Sequence, residues 1–108
     1  MHTVSLDTKE STNKYWALQD RRMRNHANKT LYTQAQLIRL ERIKLALEMV
    51  VSGTVYEPSF GKKSASVKVQ EGAQIVDRKM LQLLESDWAA EGIFKKVSAQ
   101  GFQYHMPR

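Results

Sequence analysis

The chain has 108 residues, no cysteine, 42% hydrophobic and 26% charged residues, and 17 Lys plus Arg against 11 Asp plus Glu, a formal charge of +6. The absence of cysteine excludes disulfides, thiolate metal sites and cysteine nucleophiles and fits a reducing compartment. The composition is that of an ordinary soluble single domain, expected to be cytoplasmic, with no apolar run near the roughly 20 residues that span a bilayer.

Residues 1–11 are polar and aperiodic and are expected to form a flexible arm ahead of one small globular domain over 12–108. A first helix is expected from Thr12 or Asn13, with Tyr15, Trp16, Met23 and Ala27 at roughly helical spacing and a break at Asn28-Lys29-Thr30. Thr33 and Gln36 then form a candidate capping box for a second helix running to Val51, with Gly53 as its stop. In that helix Leu37, Leu40, Ile43, Leu47, Val50 and Val51 form one core-facing stripe. Ile38, Leu45 and Met49, beside Arg42, form a second on nearly the opposite side. Two apolar faces imply either a central helix covered on both sides by its own chain or a face that meets another molecule.

Residues 52–63, with two Gly and a Pro, read as a loop. Alternation of Ala65, Val67 and Val69 predicts a short strand over Ser64 to Gln70. A third helix is expected from Ala73 to Ala90, carrying a core stripe of Ala73, Val76, Met80, Leu83, Leu84 and Trp88, with a possible break at Ser86-Asp87. Beyond it, Ile93 to Val97, a Gly-containing turn and the alternation Phe102, Tyr104, Met106 favour a β-hairpin over the competing continuation of a helix to Gln100. The expected fold is therefore mainly α: about three helices with a short strand or C-terminal β-hairpin.

Candidate catalytic constellations are sparse. His2, His26 and His105 lie apart, without metal-ligand spacing. Gly61-Lys62-Lys63-Ser64 fails the phosphate-loop pattern at two positions, and Glu85 and Asp87, two apart on a helix, do not share a face. The expectation is a non-catalytic protein with no metal, cofactor or small-molecule substrate.

Charge is unevenly distributed. Residues 21–44 hold Arg21, Arg22, Arg24, Lys29, Arg39, Arg42 and Lys44 against Glu41 alone, a net of +6, whereas residues 69–94 total −3. Five of those seven cations are Arg, the residue suited to bidentate contacts with phosphates and guanine edges. The expected partner is nucleic acid, most simply DNA. It would be bound by a basic helical face of Arg21, Arg22, Arg24, Lys29, Arg39 and Arg42, with Lys62, Lys63, Lys95 and Lys96 as secondary phosphate contacts and Asn25, Asn28, Gln34 and Gln36 placed to read bases. A winged-helix arrangement fits the order of elements, but its recognition helix would be the acidic third one, which phosphates repel. The alternative is a protein-interaction module: a regulator, inhibitor or assembly adaptor of phage or plasmid type. It would bind another copy or another protein through Ile38, Leu45 and Met49.

Overall fold

A computed structural model describes the backbone of residues 9–108 and the side chains of residues 19–108. Expectations for the arm at residues 1–8, and for the side chains of Tyr15 and Trp16, lie outside the described residues.

Helix α1 spans Lys9–Lys29, so it begins ahead of the expected caps at Thr12 and Asn13. It closes at the expected break, where Thr30 Oγ1 donates to the Ala27 carbonyl at 2.7 Å. Helix α2 spans Gln34–Val50, and both halves of the Thr33/Gln36 capping box are made. Satisfying two orphan N–H groups at once fixes where α2 starts. Leu40, Ile43, Leu47 and Val50 are buried and Leu37 is partly so, as the first stripe requires. Gly53 is not needed as the stop, because Val51 turns directly into β1 (Val51–Ser52).

The expectation of a mainly α fold is overturned: three helices are combined with six strands in two antiparallel sheets, an α+β architecture. Strands β2 (Ser59–Phe60), β3 (Ser64–Val69), β5 (Phe94–Ser98) and β6 (Gly101–Pro107) form a four-stranded sheet in the order β2-β3-β6-β5. Strand β4 (Gln74–Ile75) pairs with β1 in a two-stranded one. The C-terminal hairpin forms, but as half of the main sheet: β6 lies between β3 and β5, with Val67 opposite Tyr104 and Lys95 opposite Tyr104 on its other edge. The supposed loop 52–63 supplies β2 and the Val55–Val69 bridge. Two-residue strands carry no periodicity, so composition favoured "loop" there.

Helix α3 is shorter than expected, Arg78–Ala90, and unbroken at Ser86-Asp87. Asp77 caps it by accepting from Met80 N at 3.0 Å, and the residues ahead of it are drawn into β4. Its expected core stripe is corrected as well. Leu81 and Trp88 are buried and Leu84 partly, whereas Val76, Met80 and Leu83 are exposed.

Helices α2 and α3 cover one face of the main sheet. Leu40, Ile43, Leu47 and Val50 from α2 and Leu81 and Trp88 from α3 join Ala65, Val67, Val69, Tyr104 and Met106 in one core. Each fully buried aliphatic side chain of this kind contributes about 1.5–3 kcal/mol. The Trp88 ring meets Tyr104 edge-on at 5.0 Å. Alternation along each strand then leaves Ser64, Ser66, Lys68, Gln103, His105, Phe94 and Lys96 on the opposite face, which neither α2 nor α3 covers.

Candidate nucleic-acid interface

The open sheet face is organised in rows, because residues directly opposite on neighbouring strands share a face. Ser66, His105 and Phe94 form one row, and Lys68, Gln103 and Lys96 the next. Rows on one face are about 7 Å apart, and Lys68 and Lys96, two strands apart, are separated by about 10 Å. The Phe94 and His105 rings stack at 5.3 Å with an interplanar angle of 13°. Phe94 is half exposed. His105 Nε2 is shielded and has no hydrogen-bond partner among the described residues. Burial first, and then the charge of Lys96, hold the His105 imidazole below its ordinary pKa, so the ring is neutral at neutral pH. No Asp or Glu occupies a strand position on this face.

At the end of the sheet nearest the β2–β3 turn a second group of cations gathers. Asn25 Oδ1 accepts from Phe60 N at 2.6 Å and Asn28 Nδ2 donates to Phe60 O at 3.0 Å, so one turn of α1 satisfies both backbone groups of an edge residue. Lys29 Nζ lies 5.9 Å from the centre of the Phe60 ring, and Tyr32 meets the same ring edge-on while its hydroxyl donates to Gly61 O at 2.7 Å. Lys62 and Lys63 follow in the turn, and Arg108 N donates to Lys63 O at 2.9 Å. Lys29, Lys62, Lys63 and Arg108 thus share a corner, and none of them has an ion pair among the described residues.

The cations expected to act together are therefore divided. Arg21 and Arg22 are exposed on α1, and Arg22 lines the same groove as Lys29 of the corner cluster. Arg24, beside them, pairs with Asp20 at 3.3 Å. The Arg39 guanidinium is held by Glu91, the residue that caps the C-terminus of α3. Arg42 lies on the outer face of α2, away from the sheet. Lys95 points to the helix side, 3.0 Å from Glu85 Oε2 and 4.7 Å from the centre of the Phe102 ring, so Lys96 alone of the pair reaches the open face. Asn25 and Asn28 hold the Phe60 main chain and Gln36 caps α2, so three of the four amides expected to read bases have structural partners. Gln34 lines a groove of roughly 870 Å³ between α1, α2 and β2, with Arg22 and Lys29 set against Glu41 and Glu57.

Sequence reasoning missed Lys68, Phe94 and His105. Their common face becomes visible only once β6 is placed between β3 and β5. Among the described residues no helix is long and apolar enough to cross a membrane, and no group of three or more His, Asp or Glu side chains is placed to hold a metal ion. Comparisons with protein-family models, curated proteins and solved structures give no match.

Proposed function

We propose that the protein binds single-stranded nucleic acid across its open sheet face. The observation that carries this reading is the Phe94–His105 stack with Lys68 and Lys96 in the adjoining row, on a face without acidic strand residues. An exposed ring on a sheet offers a π-face to a splayed base, and cations in the next row neutralise phosphates of the same strand. The alternating strand pattern orients these side chains together, and the corner of Lys29, Lys62, Lys63 and Arg108, joined by Arg22 through the groove it shares with Lys29, extends the positive surface beyond the sheet. A duplex keeps its bases stacked on one another and gains only the electrostatic part of this surface.

Fluorescence anisotropy with labelled single-stranded RNA and DNA tests the reading. Binding at about 50 mM salt is expected to weaken steeply by about 200 mM. Phe94→Ala should lower affinity roughly 5- to 150-fold, the range for loss of one stacked base. Lys96→Glu should weaken binding and flatten the salt slope, while Lys79→Ala, on the exposed side of α3, leaves both unchanged. Absence of binding at the lower salt, or an unaltered affinity in Phe94→Ala, overturns the proposal.

A further inference from the structure

The outer surface of the helix layer is apolar along two lines. Ile38, Leu45 and Met49 on α2, and Val76, Met80 and Leu83 on or just ahead of α3, are each between 45% and 80% exposed. Each line also contains one charged residue, and the spacing is the same in both. Ile38, Arg42, Leu45 and Met49 step by four, three and four residues, and so do Val76, Met80, Leu83 and Asp87. Within the helices that spacing keeps Ile38, Arg42, Leu45 and Met49 on one side of α2 and Met80, Leu83 and Asp87 on one side of α3, with exposed Val76 just ahead of α3, and it suits packing against another helix.

The two helices run antiparallel in a defined register. Val76 N donates to Val50 O at 2.8 Å at one end, and Arg39 pairs with Glu91 at the other. With those two ends fixed, Met49 falls at about the height of Val76 and Met80, Leu45 at about that of Leu83, and Arg42 at about that of Asp87. Neither the Arg42 nor the Asp87 side chain has an ion pair or hydrogen bond among the described residues.

We infer that this face pairs with a second copy of the chain about a two-fold axis running parallel to α2 and α3, midway between them. Rotation about that axis carries each α2 onto the other copy's α3 at the same level. Leu45 then meets Leu83, Met49 meets Met80 and Val76, and Arg42 meets Asp87, each contact occurring twice. An isologous interface needs a patch that is its own complement, and the opposite charges at matching heights satisfy that requirement. A patch that lacked either Arg42 or Asp87 would select a different partner. The stripes extend over about 17 Å of helix and two helix widths, a small footprint by the standard of specific complexes, so assembly in the micromolar to millimolar range is expected. The open sheet faces of the two copies point outward on opposite sides.

Sedimentation velocity across a concentration series reads the monomer–dimer equilibrium of the full chain. Leu45→Glu, at an exposed position, should leave the circular dichroism spectrum unchanged and abolish the dimer. Arg42→Asp and Asp87→Arg alone should each weaken dimerisation about tenfold, and the double variant should return it to within about threefold of the parent, since the swapped charges meet again across the axis. A chain that stays monomeric into the millimolar range overturns the inference. So does a double variant no better than the single ones, even if a dimer is present.

Discussion

The hydroxyl of Tyr104 donates its hydrogen bond to the carboxylate of Glu85, joining the centre of the main sheet to α3. The same Glu85 Oε2 receives Lys95 Nζ at 3.0 Å, so one carboxylate satisfies a strand-borne phenol and a strand-borne cation together. Burial, followed by the hydrogen bond and charge of Glu85, pushes the Tyr104 hydroxyl well above the ordinary tyrosine range. A raised folded-state pKa contributes stability that is complete below the unfolded value of 10.0 and is lost as pH rises beyond it. Tyr104→Phe should cost about 1.5–3 kcal/mol in urea unfolding at neutral pH, the range for a hydrogen bond to a charged group. It should also reduce the loss of stability seen above pH 10.0.

His105 gives the opposite dependence. Its folded-state pKa is depressed, chiefly by burial and then by Lys96, so the unfolded chain binds a proton more readily. Stability from this residue is present above the unfolded value of 6.5 and is lost as pH falls through the lower folded value. Thermal unfolding followed at successive pH values below 6.5 should show the parent losing stability faster than His105→Gln. Parallel curves would mean that the imidazole titrates alike in both states.

Gly101 opens β6 with φ of 114°, and a Cβ built there would lie 2.5 Å from Val69 O. Neither the dihedral nor the space accepts a side chain. Gly101→Ala is expected to destabilise by more than about 2 kcal/mol. Gly92, with φ of 82° after α3 and open space around its Cβ position, is the contrast. Asn tolerates that left-handed conformation, so Gly92→Asn should cost under about 1 kcal/mol by the same denaturant titration.

Leu47 and Met49 separate the two faces of α2. Leu47 is 0% exposed and Met49 80% exposed. Leu47→Ala should cost about 2–5 kcal/mol through lost transfer energy and the cavity left behind. Met49→Ala, measured in dilute solution where the chain is monomeric, should fall within about 0.5 kcal/mol of the parent.

The helices were largely legible in the sequence because their signals are local. The Thr33/Gln36 cap, the buried stripe through Leu40 and Leu47, and the alternation Ala65, Val67, Val69 can each be found within a few residues. The sheet was less so. Placing β6 between β3 and β5 depends on pairings such as Ser66 with His105, and no local pattern specifies them. The apolar run in α3 misled for a related reason: Met80 and Leu83 have the spacing of a core stripe, but the sheet lies under Leu81, Leu84 and Trp88. Charge counting located the cations and not their partners, since Glu91 and Glu85 reach Arg39 and Lys95 from distant positions.

The strand order also has a consequence for biosynthesis. During translation β3 can pair early with β2 through their tight turn, but its other edge stays vacant until α3 and the β5–β6 hairpin have been made, because Val67 pairs with Tyr104 and Val69 with Phe102. For that interval Ala65, Val67 and Val69 form an apolar strand with a free edge, the kind of surface on which nascent chains associate wrongly. Completion of the hairpin closes that edge and seals the core in the same step.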